Sequence, residues 1–229
     1  MKLIILAAGE GVRMRPLTLN TPKPLLKVLG KSIVDHIFAS LPDEVTEAII
    51  VVKYLGDKIR EHCGDQFYGR PIRYVEGSSS GSAASFLEAK ALLKDEDRFI
   101  LIHGDDLPYK EDVKRCLKER TSSLCFEVPD PWNSGIVTIG PDGFIEKIIE
   151  KPANPVSNLA SNGVMVLTNR IFECIPEKGN ANELLFSSMF IQYITKERVV
   201  PVRTDYGIVG FATPSDIQRN EEMLMKRPI

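Results

Sequence analysis

The stretch KLIILAAGEGVRMRPLTLNTPKP, residues 2–24, decides the fold of the N-terminal half. It opens with four consecutive apolar residues at positions 3–6, a run that is short enough and rich enough in β-branched side chains to predict a buried strand. Gly9 and Gly11 follow almost at once, and glycine allows turns with positive φ and a close approach of the backbone to a ligand. The stretch therefore predicts a strand that ends in a binding loop.

Several cations lie in the same loop. Arg13 and Arg15 carry guanidinium forks that match phosphate oxygens, and Lys23 carries an ammonium group. Pro22 and Pro24 flank Lys23 and stiffen the backbone that presents it. Backbone N–H groups together with such cations are what a triphosphate needs. The loop predicts phosphate binding; the alternative is the first strand and glycine turn of an ordinary α/β domain.

Two better-known phosphate motifs are excluded. The dinucleotide fingerprint G-x-G-x-x-G requires glycine at position 14, where the chain has Met14. The sequence Gly30-Lys31-Ser32 resembles the end of a P-loop, but the first glycine of that motif would fall on Leu25. The binding loop must therefore belong to another class.

Short apolar runs alternate with helical patterns through the first half of the chain. We expect strands at residues 48–52, 72–75 and 99–102, and helices at residues 32–41, 55–63, 82–93 and 109–120. Repeated βα units with fully apolar strands predict a Rossmann-like α/β fold, with a mostly parallel sheet covered by helices on both faces. In such sheets, ligands bind beyond the carboxyl ends of the strands.

Two further strand ends carry candidate site residues. Residues 76–83, EGSSSGSA, lead into a predicted helix whose first N–H groups could hold a base, ribose or phosphate; the alternative is a serine-capped helix. Asp105 follows the strand at 99–102, and a carboxylate there is a natural magnesium ligand beside phosphates. His103 has no partner that the sequence reveals, and we expect an ordinary histidine.

The second half of the chain has a different sequence pattern from the first half. Short strands are predicted at residues 122–128, 135–139, 143–150 and 163–167, separated by turns such as Pro141-Asp142-Gly143. We expect a small mixed or antiparallel layer at the sheet edge, where a second substrate would bind. The sequence thus predicts a single domain, 1–229, with a nucleotide-binding half of about residues 1–120 and an acceptor-binding half of about residues 121–229.

The stretch LAAGEGVRMRPLTLNTPKPLLKV closely resembles the signature of the sugar-1-phosphate nucleotidyltransferases. That signature runs L-A-A-G-x-G-x-R-[ML]-x-P-[LI]-T and continues with P-K-P-L-[LV]-x-V. The resemblance implies an enzyme that joins a nucleoside triphosphate to a sugar 1-phosphate, releases pyrophosphate and uses Mg²⁺. The expected partners are therefore these two small molecules.

The resemblance also implies roles for individual residues. Arg13 would clamp the leaving phosphates, Lys23 would hold the α-phosphate or the leaving group, and Asp105, in the family's L-x-x-G-D motif, would bind Mg²⁺. The family's [QE]-x-x-P-x-G-[TS]-A segment matches at residues 76–83, except that serine replaces its proline. The implied nucleotide-binding residues are Leu6, Ala7, Ala8, Gly9, Gly11, Glu76, Gly81, Ser82 and Gly104.

Further matches concern the acceptor. Gly135 matches the glycine that lies against the sugar in the family's Y-G-V-V segment. In the E-K-P motif, Glu150 would bind sugar hydroxyls and Lys151 the sugar phosphate. Asn162 and Gly163 resemble the next sugar-facing loop, N-[AT]-G, with one residue fewer between them. These five residues are the implied sugar-phosphate site.

The chain departs from the family near its end. Residues 213–217, TPSDI, resemble the family's T-P-x-D-L, a capped helix start with proline at the first position. Counting back, Gly210 stands where the family has its second metal-binding aspartate, and Ile208 where it has tryptophan. Asp205 lies five residues before Gly210 and on one strand would face the opposite side. The resemblance thus leaves the metal site with one implied ligand.

The composition and charge of the chain exclude several classes of function. The formal net charge of −2 argues against binding to nucleic acid or to an anionic membrane surface, and no apolar run approaches the length of a membrane span. The chain begins directly with a predicted strand and shows no signal-peptide pattern. The four cysteines lack C-x-x-C spacing and predict reduced thiols. We therefore expect a cytoplasmic protein.

Two other functions stay open. One is a cytidylyltransferase acting on phosphocholine or a similar phosphate, which an aromatic cage around the quaternary ammonium would favour. The other is a catalytically silent subunit that senses nucleotide sugars, an interpretation that Gly210 supports. The sequence leaves open the base, the acceptor and the oligomeric state, a homo-oligomer included.

Overall fold

The computed structural model describes residues 1–207 and 210–227, apart from the side chain of Asn162. The strands are β1 (Lys2–Ala7), β2 (Lys27–Val28), β3 (Lys31–Ser32), β4 (Glu47–Val52), β5 (Gln66–Phe67), β6 (Arg70–Glu76), β7 (Arg98–His103), β8 (Ser122–Glu127), β9 (Gly135–Ile139), β10 (Ile145–Glu150), β11 (Leu159–Thr168), β12 (Glu177–Lys178), β13 (Leu184–Leu185) and β14 (Val200–Arg203). The α-helices are α1 (Ile33–Ala39), α2 (Gly56–Cys63), α3 (Ser82–Glu88), α4 (Lys110–Lys118), α5 (Phe186–Tyr193) and α6 (Asp216–Met225). None of these helices is long and apolar enough to span a bilayer.

Ten strands form one mixed sheet. Its main path runs β10-β9-β11-β7-β1-β4-β6-β5, while β8 pairs with β11 and β14 pairs with β8. The central strands β7, β1, β4 and β6 are parallel, whereas β9, β10 and β11 join antiparallel. The predicted mixed α/β sheet is confirmed, and its antiparallel strands continue directly from the parallel ones.

The direction of the winding reverses beside β1. From β1 the chain proceeds through β4 to β6 on one side, and then returns to β7 on the other side of β1. Diverging loops at such a switch point leave a crevice at the carboxyl ends of the strands. The loops after β1 and β7 therefore border the natural binding site of this fold.

Helices cover both faces of the sheet, because side chains alternate along each strand. Leu3 and Ile5 of β1 lie in one buried cluster with residues of α1, α2 and α4. Ile4 lies in a second cluster with residues of α3 and α5. Strands that are apolar on both faces fit this arrangement, as the sequence predicts.

Several local features differ from the predicted pattern. Helix α3 ends at Glu88 and a 3-10 turn follows, and β11 begins at Leu159, four residues before the predicted start. Helix α6 begins at Asp216, without proline at its first position. The Asp216 carboxylate accepts 2.7 Å hydrogen bonds from the backbone N–H groups of Ala212 and Thr213, and this fixes the loop that precedes the helix.

Candidate active site

A cavity of about 810 Å³ lies at the crevice between the two halves of the sheet. The loops after β1, β6 and β7 contribute to its wall, as do strands β8 to β11 and helix α5. Its lining contains nine of the residues that the sequence singles out: Leu6, Ala8, Gly9, Gly81, Ser82, Asp105, Gly135, Glu150 and Gly163. The two predicted halves therefore face one shared cavity.

The loop after β1 is held by its own hydrogen bonds. The Thr18 hydroxyl donates to the carbonyl oxygen of Gly11 at 2.8 Å, and the Tyr54 hydroxyl donates to the carbonyl oxygen of Thr18 at 2.9 Å. Gly9 lines the cavity, and a β-carbon at this position would meet nothing within 4 Å. This loop thus leaves open space for a ligand beside its backbone.

The loop before α3 depends on a glycine. Gly81 adopts a φ of +121°, and a β-carbon there would lie 2.3 Å from the carbonyl oxygen of Leu184. Ser80 accepts a backbone hydrogen bond from Leu184 at 2.6 Å, and the Ser82 hydroxyl accepts one from the N–H of Phe186 at 3.0 Å. These contacts join the start of α3 to the start of α5 along the cavity wall.

Lys23 contacts Asp105, which lines the cavity, although Lys23 itself is outside the described lining. The Lys23 ammonium group donates a hydrogen bond to Oδ2 of Asp105. Burial acts to raise the pKa of Asp105, but the charges of Lys23 and His103 together with hydrogen bonds to the carboxylate outweigh this effect, and the pKa lies below its usual value. Asp105 is therefore ionised at neutral pH, as a cation ligand must be.

Asp106 and His103 lie beside this pair. Burial and the negative charge of Asp105 raise the pKa of Asp106 well above its usual value. Burial and the charge of Lys23 lower the pKa of His103, although the negative charge of Asp105 acts in the opposite direction. Both residues line the cavity, although the sequence pattern predicts no role for either.

The part of the cavity that the sequence predicts to bind the acceptor is built on a β-hairpin. Glu150 pairs with Gly135 across β10 and β9, and a β-carbon on Gly135 would lie 3.0 Å from Oε1 of Glu150. Burial raises the pKa of Glu150, while the charge of Lys151 and a hydrogen bond with Ser187 act to lower it. The carboxylate consequently lies in a cavity wall where hydroxyl groups could satisfy it.

Other predicted site residues lie apart from the lining. Arg13 is exposed in the 3-10 turn Val12–Met14, and Glu76 lies 3.4 Å from the guanidinium of Arg60. Lys151 is exposed with a φ of +45°, and its backbone N–H donates to the carbonyl oxygen of Ser134 at 3.0 Å. Ala7, Gly11 and Gly104 are also outside the described lining, and Asn162 has no described side chain. The roles of these residues stay predictions.

Several residues that sequence reasoning missed, most of them aromatic, also line the cavity. Phe126, Phe186 and Phe190 line it, as do Tyr54 and Ser187. The sequence does carry a signal for α5, because buried residues recur at positions 186, 189, 190 and 193 with helical spacing. Nothing in that spacing reveals that one end of the helix borders the cavity.

The metal implied by the resemblance has one candidate carboxylate ligand, Asp105, among the described lining residues. In the described part of the chain, no group of three or more histidine, cysteine, aspartate or glutamate side chains could hold a metal ion. Gly210 lines the cavity without a side chain, Asp205 is absent from the described lining, and Ile208 lies outside the described residues. Because Mg²⁺ commonly uses one or two carboxylates together with substrate phosphates and water, the ionised Asp105 still fits such a site.

Comparisons with known proteins agree with this geometry. A family model described as nucleotidyl transferase matches residues 2–209. The chain is 38% identical over 185 residues to the bifunctional protein GlmU of Methanocaldococcus jannaschii. The aligned region covers 80% of this chain but 43% of GlmU. It is 31% identical over 238 residues to the UTP–glucose-1-phosphate uridylyltransferase AglF of Haloferax volcanii. This second alignment covers 99% of this chain and 97% of AglF.

A solved structure shows the same likeness over the whole chain. It is a proposed glucose-1-phosphate thymidylyltransferase from Bacillus anthracis in complex with sucrose, with a TM-score of 0.80 and 25% identity. The match covers 100% of this chain and 97% of that protein. The chain thus spans less than half of the GlmU relative, but nearly the full length of AglF and of the Bacillus protein.

Proposed function

This chain belongs to the nucleotidyl transferase family, and we propose that it transfers a nucleotidyl group from a nucleoside triphosphate to a sugar 1-phosphate, giving a nucleoside diphosphate sugar and pyrophosphate. One observation carries the proposal. The signature loop, Asp105 with its partner Lys23 behind it, and the Glu150–Gly135 pair come together at a single cavity of about 810 Å³, which Asp105 lines and Lys23 does not. Such a cavity has room for two substrates side by side.

The reaction is an in-line displacement at the α-phosphorus. A phosphate oxygen of the sugar 1-phosphate attacks, the bond to the bridging oxygen of the β-phosphate breaks, and pyrophosphate leaves with the electron pair. Such a step depends on positioning and charge neutralisation and needs no covalent nucleophile on the protein.

Cations of this chain would hold the reacting phosphates. Lys23 lies outside the described lining but binds Asp105, which belongs to it, and its ammonium group would move to the α-phosphate or the leaving group when nucleotide binds. Arg13 would reach the β- and γ-phosphates from its exposed turn. Lys151 would hold the phosphate of the acceptor, since it follows Glu150 directly at the end of β10.

A divalent cation, which we propose to be Mg²⁺, would be held by Asp105 and would supply charge neutralisation for the phosphates. Gly210 offers no second carboxylate, so we propose that substrate oxygens and water complete the coordination. The described thiols are all buried, which fits a protein of the reducing cytoplasm, where we place the reaction.

The relatives suggest which substrates to examine first. AglF acts on UTP and glucose 1-phosphate by its name, and the Bacillus protein is a proposed thymidylyltransferase. We therefore propose UTP or dTTP as donor and a hexose 1-phosphate as acceptor. The predicted contact of Glu76 with the nucleotide does not separate these bases.

A specific observation also favours the phosphocholine alternative. Phe126, Phe186 and Phe190 line the cavity together with Glu150. Aromatic faces beside a carboxylate attract a quaternary ammonium group. Phosphocholine with CTP is therefore the second candidate pair.

The test is pyrophosphate release in the presence of Mg²⁺. UTP, dTTP, CTP, ATP and GTP are each combined with hexose 1-phosphates, hexosamine 1-phosphates and phosphocholine. Release with a sugar phosphate supports the proposal, and release with phosphocholine alone supports the second candidate. Nucleotide binding without release from any pair would contradict both and favour the silent sensing subunit.

A further inference from the structure

Tyr54 links two segments of the cavity wall. It lies between β4 and α2, and its half-buried side chain lines the cavity, as do Ala8 and Gly9 of the loop after β1. Its hydroxyl donates hydrogen bonds to the carbonyl oxygens of Thr18 at 2.9 Å and of Leu19 at 3.2 Å. Both acceptors belong to the loop after β1. Tyr54 therefore ties this loop to the neighbouring strand, since β4 pairs with β1.

Few hydrogen bonds hold this loop from outside. In the part of the chain that the structure describes, those that reach residues 9–20 from elsewhere come from Tyr54 and from Lys58, whose ammonium group donates to the carbonyl oxygen of Asn20. The bond from Lys58 is exposed to solvent, whereas the bond from Tyr54 to Thr18 is partly buried. Water competes less for a shielded hydrogen bond. Tyr54 thus supplies the stronger of the two tethers.

Thr18 transmits this restraint to the cations of the loop. It is fully buried, and its hydroxyl donates to the carbonyl oxygen of Gly11 at 2.8 Å. A β-carbon on Gly11 would lie 3.1 Å from Cγ2 of Thr18 and 3.5 Å from Cβ of Lys23. Thr18 and Lys23 therefore pack against the same point of the backbone, and Arg13 follows that point by two residues. Fixing Thr18 consequently restrains both cations.

Arg13 cannot order the loop by itself before a ligand binds. It is exposed in its 3-10 turn, and within the described residues its side chain forms no ion pair or hydrogen bond. A loop that becomes ordered only on binding lowers the affinity by the free energy of ordering. A tether that orders the loop in the free protein removes this loss.

We propose that Tyr54 is a positioning residue, whose hydroxyl holds the loop after β1 in the arrangement in which Arg13 and Lys23 receive the triphosphate. This inference rests on the proposed function, because it takes a nucleoside triphosphate as the ligand of the loop. Tyr54 acts through the backbone at Thr18, and its hydroxyl does not contact the nucleotide. Its effect is confined to the nucleotide, since the predicted acceptor residues lie on the strands β9, β10 and β11.

The test is Tyr54→Phe, which keeps the ring in the cavity wall and removes only the hydroxyl. UTP, dTTP, CTP, ATP and GTP are ranked by calorimetry on the wild-type protein with Mg²⁺, and the one that binds most tightly is used. We expect its Kd, and its KM in the pyrophosphate assay, to rise about tenfold in the variant, which is the effect of about one hydrogen bond. KM for the sugar 1-phosphate should stay unchanged.

Hydrogen–deuterium exchange reports the loop directly. In the ligand-free variant, the backbone N–H groups of residues 9–20 should exchange faster than in the ligand-free wild type, because the loop opens more often. A lower affinity without faster exchange would mean that the Tyr54 hydroxyl contacts the nucleotide itself, and this result would overturn the positioning role. An unchanged affinity would overturn it as well.

Tyr74→Phe is the matched control. Tyr74 is also half-buried, its hydroxyl donates to the carbonyl oxygen of Gly64 at 2.7 Å, and neither residue belongs to the described lining. This variant loses the same kind of hydrogen bond away from the cavity, so its nucleotide affinity and its exchange at residues 9–20 should equal those of the wild type. Equal losses of affinity in the two variants would indicate a general loss of stability, which thermal melting reports, and would contradict a specific role for Tyr54.

Failure of the proposed function gives a different pattern. If the wild type binds a nucleoside triphosphate but releases no pyrophosphate with any acceptor, the proposed function is wrong, while calorimetry and exchange still decide the role of Tyr54. If the wild type turns over and Tyr54→Phe matches it in KM, this inference alone is wrong. If the wild type binds none of the five nucleotides, both are wrong.

Discussion

Lys23 and Asp105, which are 82 positions apart in sequence, are joined by a hydrogen bond between the lysine ammonium group and Oδ2 of the aspartate. The pair connects the loop after β1 to the loop after β7, on the two neighbouring strands at the switch point of the sheet. It places an ionised carboxylate in the cavity wall, with a cation bound to it, before any ligand binds. The pair is therefore the natural starting point for testing the proposed chemistry.

Replacing Lys23 with alanine should nearly abolish turnover. Loss of one preorganised cation at a reacting phosphate commonly lowers kcat about a hundredfold to a thousandfold. The free energy of unfolding should change little, because both side chains of this ion pair are partly exposed and such pairs contribute about 1 kcal/mol or less. Steady-state kinetics and urea denaturation measure the two effects. Near-normal kcat in a folded variant would remove Lys23 from the mechanism.

Arg13 and Arg15 provide a matched pair of substitutions. Both are exposed cations of the same loop, but Arg15 lies 3.2 Å from Oε2 of Glu10, and only Arg13 falls on the arginine of the family signature. We expect Arg13→Ala to lower kcat/KM for the nucleoside triphosphate by at least about a hundredfold, and Arg15→Ala to lower it only a few-fold. Equal losses in the two variants would show that the loop contributes only general positive charge.

Gly9 tests whether the backbone after β1 contacts the nucleotide. A β-carbon there meets nothing within 4 Å and Gly9 does not adopt the left-handed conformation, so Gly9→Ala should leave stability unchanged or raise it by up to about 1 kcal/mol. A bound triphosphate would collide with the added methyl group, and KM for the nucleotide should rise at least about tenfold. Thermal melting and kinetics report the two effects separately. A normal KM would mean that the nucleotide lies away from this loop.

The cysteine thiols should react only after unfolding. Cys63, Cys116, Cys125 and Cys174 are all buried. Burial is the main cause that raises the pKa of Cys63, Cys116 and Cys125 to about 12, so that almost no thiolate exists at pH 8. We expect a thiol reagent such as dithionitrobenzoate to label the native protein very slowly and to label four thiols per chain in denaturant, which absorbance measures. Rapid labelling of the native protein would contradict the buried environment.

The local signals of the first half were sufficient to predict its fold. Apolar runs such as residues 48–52 and 99–102 identify central strands because these strands are buried on both faces. A serine directly before an apolar helical pattern, as at Ser32, is typical of a helix cap, and the Ser32 side chain does accept a hydrogen bond from the N–H of Asp35. Apolar runs and helix caps depend only on residues that are adjacent in the sequence, so they can be interpreted without knowledge of the tertiary packing.

The rest of the site depends on contacts between distant segments. The burial of Asp106 arises because β11 brings Gly163 against it, and no pattern around Asp106 indicates this contact. Phe186 faces the cavity because the loop at Ser80 and Ser82 hydrogen-bonds to the start of α5. The sequence could therefore predict the loop after β1 that lines the cavity, but not the aromatic residues of the cavity wall or the buried carboxylate of Asp106.

The most direct test of the central claim is a ³¹P NMR time course with the wild-type protein, Mg²⁺, one nucleoside triphosphate and one sugar 1-phosphate. The account predicts that nucleoside diphosphate sugar and pyrophosphate form in equal amounts while both substrates disappear together, and that the Lys23→Ala protein forms neither at a comparable rate. Phosphate or pyrophosphate released without a nucleotide sugar, or no reaction with any pair of substrates, would contradict it.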